Sequence, residues 1–218
     1  MPAAFKMNKV AIIDFESGNL FSVFHACKLL GLDPVITHDE TEVLTADGVI
    51  LPGVGAFADA MQHLEKSGMT QAITTYIETG KPFLGICLGL QLLLDESEEF
   101  GETKGLGLIR GKVRKFQFES NVKIPHVGWS KLQKAGQSWS KTLFSQLHDG
   151  DYMYFVHSFY ADPFDKEDII ASAEYEGKTF CAAIRKNNIF ATQFHPEKSG
   201  TCGLKILESF AVEVKNGN

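Results

Sequence analysis

No apolar run in this chain approaches the ~20 residues that a bilayer-spanning helix requires, and the opening MPAAFKMNK lacks the apolar core of a signal peptide. Both absences make the cytoplasm the expected location, with no membrane partner. Basic clusters are missing too. The 21 Lys and Arg residues are outnumbered by 27 Asp and Glu, and the net charge of -6 is scattered, so no stripe exists to neutralise phosphates and nucleic acid is not an expected partner. The four cysteines, Cys27, Cys87, Cys181 and Cys202, show neither the density of a disulfide scaffold nor the paired spacing of a zinc site, and reduced thiols are expected. GVGAFA at 53–58 lacks the third glycine of a dinucleotide loop and no G-K-[ST] follows, which leaves no phosphate loop. No metal and no cofactor is expected.

What is present is a chain of 218 residues, 44% hydrophobic and 22% charged, enough for one domain with a sizeable core. A short N-terminal extension, 1–8, precedes that domain at 9–218. KVAIIDF (9–15), PVITH (34–38), GVILPGVG (48–55) and PFLGIC (82–87) read as buried strands, with helical periodicity at 20–30, 57–66, 70–79 and 88–95 between and after them. That alternation predicts a parallel sheet covered on both faces. Beyond about residue 105 the runs become short and glycine-punctuated, which suggests an antiparallel extension, and GLKILESFAVEV (203–214) restores helical periodicity. The expected fold is a three-layer α/β open sheet, mainly parallel, with an antiparallel second half. GKVRKF (111–116) reads as a solvated strand edge.

Three stretches carry chemistry. Gly85 to Gly89 reads G-x-C-x-G at a strand-to-helix junction, where flanking glycines permit a turn tight enough to project a nucleophile. A thiol there would meet the N-terminus of helix 88–95, which favours thiolate and offers N–H groups to an oxyanion. A buried cysteine that merely closes an apolar strand fits this motif equally well. A nucleophile needs a base, and ATQFHPEKSG (191–200) ends a run with His195, Pro196 and Glu197; extended geometry would place His195 and Glu197 on one side of the chain, although a loop with a surface carboxylate fits most such triplets better. In LPGVGAF (51–57), Gly53 and Gly55 bracket Val54 and let the loop aim a backbone N–H, although an ordinary turn fits too.

Together these stretches resemble the class I glutamine amidotransferases, with PGVGAF as oxyanion strand, GICLGLQLL as nucleophile elbow and QFHPEKS as the His/Glu end of a triad. IPHVGWS (124–130) and YFVHSFY (154–160) are similar to signatures of the glutaminase subunits of imidazole glycerol phosphate synthases, in histidine biosynthesis. The resemblance runs from about residue 9 to the C-terminal helix. It implies Cys87 as nucleophile, His195 as acid and base, and Glu197 as its orienter. Leu88 and the Gly53–Gly55 loop, with Val54, would form the oxyanion hole. Gln91 and Glu99, with the backbone of His157, Ser158 and Phe159, would hold the substrate glutamine. Asn19, His126, Trp129 and Lys198 are the candidates for an interface with a (β/α)8-barrel cyclase subunit in a heterodimer. Where the family usually reads D-Y-G-x-G-N-L this chain has DFESGNL (14–20), and Ser130 stands where Asn is usual. Three alternatives remain: a glutaminase subunit serving another acceptor, such as a surface-sugar amidotransferase, a free-standing cysteine hydrolase that needs no partner, and a non-catalytic regulatory module on the same fold.

Overall fold

A computed structural model of the chain describes residues 8–16, 20–119, 121–136 and 138–217. The first half alternates as expected: β1 (Lys9–Ile13), α1 (Leu20–Leu29), β2 (Asp33–Thr37), α2 (Glu40–Thr45), β3 (Gly48–Gly53), α3 (Phe57–Lys66), α4 (Met69–Glu78), β4 (Phe83–Cys87) and α5 (Leu88–Leu92). β3 and β4 are buried at every residue, the pattern of strands covered on both faces. α3 buries Phe57, Ala60, Met61 and Leu64, a spacing of three and four residues that sets one stripe against the sheet.

The second half contributes β5 (Leu94–Ser97), β6 (Thr103–Lys104), β7 (Ile109–Lys115), β8 (His126–Lys131), β9 (Gln133–Lys134), β10 (Tyr152–His157), β11 (Phe159–Pro163), β12 (Ile169–Tyr175), β13 (Lys178–Lys186), β14 (Ile189–Thr192) and α6 (Gly200–Asn216). Among the described residues the main sheet has the order β2-β1-β3-β4-β14-β13-β12-β9. Its pairs from β2 to β14 are parallel and those from β14 to β9 antiparallel. Successive residues of each central strand point to opposite faces, so Ile12, Ile50 and Ile86 join one core cluster while Ile13, Val49 and Leu51 join the other. No helix among the described residues is long and apolar enough to cross a membrane.

The topology gathers the three motif stretches. β3, β4 and β14 are neighbours with parallel register, Gly53 opposite Cys87 and Ile86 opposite Thr192, so the glycine loop, the elbow and the segment after Thr192 leave the sheet at one edge.

Two expectations are corrected. The helix that starts at Leu88 ends at Leu92 instead of 95, because Leu94–Ser97 turns into β5 and pairs with β6 and β7. GKVRKF is no sheet edge: β7 lies between β11 and β5 in a four-stranded sheet, and Arg114 and Lys112 are charged there because they pair with Asp162 and Glu96. The stretch YFVHSFY spans two strands, because β10 and β11 part at Ser158 and join different sheets.

Candidate functional site

Cys87 sits at the junction of β4 and α5 with φ 55° and ψ -106°, a left-handed conformation that costs a non-glycine residue on the order of 1–3 kcal/mol. The surrounding glycines explain how the turn is tolerated. A Cβ at Gly89 would overlap the Leu51 carbonyl oxygen, and one at Gly85 would lie 3.1 Å from the backbone of Gly89. Gly89→Ala is therefore expected to cost at least the ~1–3 kcal/mol of a typical overpacking substitution, because rigid backbone cannot yield. A thermal melt indistinguishable from wild type would show that the elbow is not packed this tightly. The five-residue α5 carries too little aligned backbone to act as the long helix expected from the sequence, so support for the thiol comes mainly from side chains.

Those side chains come from the segment after β14. His195 and Glu197 meet not through extended geometry but through a 3-10 turn, Pro196–Lys198, that begins at His195. Proline suits the first position of such a turn because its missing N–H would be unpaired there. His195 Nδ1 donates to Glu197 Oε1 at 2.8 Å, with both side chains at most 3% exposed. The carboxylate can only accept, which puts the proton on Nδ1 and leaves buried Nε2 without a hydrogen bond in this geometry. The backbone fixes the ring: His195 N donates to Tyr154 O, and Ser199 Oγ donates to His195 O while accepting from Tyr154 N. Burial opposes a charge on His195, but interactions with Cys87 and with Glu197 outweigh it and push the residue up to about 10.

Sγ of Cys87 opens onto a cleft of about 250 Å³ lined by Val54, Gly55, Leu88, Gln91, Glu99, Pro125 and Val156–Phe159. The structure thus brings the expected substrate and oxyanion residues to one place. Gly53 ends β3 just below the cleft, where a Cβ would meet the Phe15 ring at 2.6 Å. Glu99 Oε2 accepts from Phe57 N at 2.7 Å and so caps α3, whose N-cap residue Ala56 has no side chain that could, and it anchors the end of the glycine loop. Gln91 Nε2 donates to Phe159 O and to Gln193 Oε1, and Gln193 Nε2 lies 3.7 Å from Sγ. Sequence reasoning missed Gln193, although a glutamine inside the apolar run ending at Phe194 signals a buried amide that needs partners.

The expected interface residues separate. Trp129 is 54% exposed and Lys198 is exposed, whereas His126, on the opposite face of β8 from Trp129, is only 3% exposed. Its ring lies against Tyr175 at 4.1 Å and Phe155 at 5.3 Å. Asn19 lies outside the described residues. The outward face of β8 and β10 adds Val127, Tyr152 and Tyr154, with Trp129 directly opposite Tyr154. Ser130 hydrogen-bonds His126 Nε2 and the Glu174 carbonyl, and Glu16, where the family favours glycine, adopts φ 64°.

His126 and His157 are cross-strand partners on the inward face. Burial pushes His157 down to about 3 and His126 down to about 4, so both are neutral in the fold, and His157 Nδ1 donates to Phe159 O at 2.8 Å. An unfolded histidine titrates near 6.5. Below that pH the unfolded chain binds protons that the fold refuses, so these two groups cost stability as pH falls from about 6.5 toward 4. His195 has the opposite sign: its contribution is complete below about 6.5 and is lost as pH rises toward 10. The urea midpoint is expected to be lower at pH 5 than at pH 7, and His126→Phe, which keeps a stacked ring, should narrow the gap. An unchanged gap would place the acid sensitivity elsewhere.

The class-I glutamine amidotransferase family model matches residues 11–214. The chain is 47% identical over 211 residues to the imidazole glycerol phosphate synthase subunit HisH of Geobacter metallireducens, covering 94% of this chain and 99% of that protein. It is 46% identical over 209 residues to the HisH of a Nostoc species, covering 96% and 98%. Solved structures share the fold at lower identity. PurLQS from Thermotoga maritima aligns with a TM-score of 0.71 at 19% identity, over 94% of this chain and 97% of that one. A glutamine amidotransferase crystal structure aligns with a TM-score of 0.71 at 17% identity, over 94% and 98%.

Proposed function

Because the chain belongs to the class-I glutamine amidotransferases, and within them to the HisH subunits of imidazole glycerol phosphate synthase, we propose that it hydrolyses glutamine at Cys87 and passes the ammonia to a cyclase subunit. What carries this reading is the buried His195–Glu197 pair beside a cysteine held in a strained elbow that opens onto a cleft lined by both polar and apolar residues.

Cys87 as thiolate attacks the γ-carboxamide carbon, and the oxyanion is held by the N–H of Leu88 and one from the Gly53–Gly55 loop. As the tetrahedral intermediate collapses, the C–N bond breaks and His195 gives its Nε2 proton to the departing amine, leaving a thioester, ammonia and neutral His195. Water then yields one proton to His195 and its OH to the acyl carbon; breaking the C–S bond restores thiolate beside imidazolium and releases the γ-carboxylic acid, which gives its proton to solvent as glutamate. Glu197 holds the ring in the orientation both steps need. A residue held near 10 enters the cycle already protonated at neutral pH, as the first step demands. Glu99 and the Gln91 amide supply acceptors for the α-ammonium and amide N–H groups of a glutamine in the cleft.

Ammonia is mostly ammonium at neutral pH and then no nucleophile, so transfer through a dry passage to a partner fits the chemistry. The partner in this reading is a (β/α)8-barrel cyclase in a heterodimer. It would use the ammonia on a phosphoribulosyl formimino carboxamide ribotide to make imidazole glycerol phosphate and aminoimidazole carboxamide ribotide. The exposed Val127, Trp129 and Tyr152 on β8 and β10 form an apolar patch suited to that partner, and Lys198 is the exposed cation offered to it. Supplying the complex with glutamine carrying heavy amide nitrogen in excess unlabelled ammonium tests the transfer. Heavy nitrogen in the product is expected, and label diluted to the bulk ratio would contradict it.

A further inference from the structure

The buried amides next to the nucleophile form one directed chain of hydrogen bonds. It starts at the Phe159 carbonyl, which can only accept. That oxygen receives His157 Nδ1–H at 2.8 Å and Gln91 Nε2–H at 2.9 Å, which fixes which end of the Gln91 amide is nitrogen. The second proton on Gln91 Nε2 goes to the Gln193 side chain at 3.1 Å, so Gln193 must present Oε1 to it. Gln193 Nε2 is then turned toward Cys87 Sγ at 3.7 Å, and Gln193 has no exposed surface from which water could compete. The orientation of an amide two residues before His195 is thus dictated by a backbone carbonyl on β11.

We propose that Gln193 is a further catalytic residue, donating an N–H to the Cys87 sulfur whenever that sulfur is anionic, with Gln91 as the positioning residue that holds the donor toward it. A hydrogen bond to a charged acceptor is stronger than one to a neutral one. The donor therefore favours the thiolate before attack and again as it leaves the thioester. The Sγ lies 3.9 Å from the Val156 carbonyl, which accepts a hydrogen bond from the thiol but repels the thiolate, whereas the Gln193 N–H on the same sulfur favours the thiolate. The same chain links the cleft to the sulfur, because Gln91 lines the one and orients the donor to the other. The consequence for turnover rests on the glutaminase reading above, whereas the donor geometry does not.

The test is the pH dependence of Cys87 alkylation by iodoacetamide, followed by mass mapping of the Cys87 peptide so that Cys27, Cys181 and Cys202 do not contribute. Gln193→Met keeps the length and removes the donor. Its alkylation midpoint is expected about one pH unit above that of wild type, and kcat for glutamine hydrolysis in the assembled complex about tenfold lower at unchanged KM. Gln193→Glu, of the same shape, puts an acceptor where the donor was and should move the midpoint further up; it carries the test if the methionine variant does not fold. Gln91→Met should move it in the same direction by less. Midpoints that stay at the wild-type value in folded Gln193 variants would overturn the inference. Alkylation needs no glutamine turnover, so a protein inactive toward glutamine would sink the glutaminase reading and still leave this result readable.

Discussion

Cys87→Ala is expected to abolish glutamine-dependent product formation by the assembled complex while leaving formation from added ammonia unchanged. Removing a covalent nucleophile costs on the order of 10^6 in turnover, because no neighbouring group can form the acyl intermediate in its place. Cys87 is small and 5% exposed, so its loss to alanine removes one sulfur atom and relieves little of the surrounding packing. The elbow is fixed by Gly89 against the Leu51 carbonyl of β3 and by Gly85 against the Gly89 backbone, and neither contact depends on the thiol. Measuring both routes in one preparation separates chemistry from architecture. Loss of the ammonia route as well would mean that Cys87 supports the fold or the assembly rather than the reaction.

Glu197→Gln should lower glutamine-dependent turnover on the order of 10^4-fold, as amide substitution of the acid does in a serine triad, again with the ammonia route spared. The reason lies in the geometry. Glu197 Oε1 accepts from His195 Nδ1, and an amide of the same shape can turn its NH2 toward that nitrogen and impose the wrong tautomer. Glu197 is also one of the two partners that hold His195 near 10 against its burial. With the charge gone, the residual activity should lose its alkaline limb at lower pH than wild type. A variant that is slower with an unmoved alkaline limb would assign the limb to a different group.

How much of this was legible in the sequence depended on whether the signal was local. Buried parallel strands are continuous apolar runs, which is why β3 and β4 emerge near their expected positions, and the stripe of α3 is found over 57–66 as its spacing predicts. The glycines of the elbow announce a close approach wherever they stand. By contrast, Leu92–Leu94 is equally apolar as helix or strand, and only the pairing of β5 with β6 and β7 ends α5 at Leu92. The alternation in IPHVGWS has two phases, and register against β10 selects the one that turns His126 inward and Trp129 outward. Gln193 was hidden for a related reason: a lone buried amide states a need for partners, but its partners Gln91 and Cys87 are about a hundred residues away. The contact of His195 with Glu197 was expected, and the 3-10 turn that makes it was not.

The central claim is that Cys87 is the nucleophile of a glutamine site. Incubating the protein, with its cyclase partner and the acceptor ligand, with the glutamine-mimicking diazoketone 6-diazo-5-oxo-norleucine and then mapping peptides by mass spectrometry tests it most directly. A single covalent adduct on the Cys87 peptide, prevented by excess glutamine and absent from Cys87→Ala, is the predicted result. An unmodified Cys87 in the fully assembled complex would contradict the account.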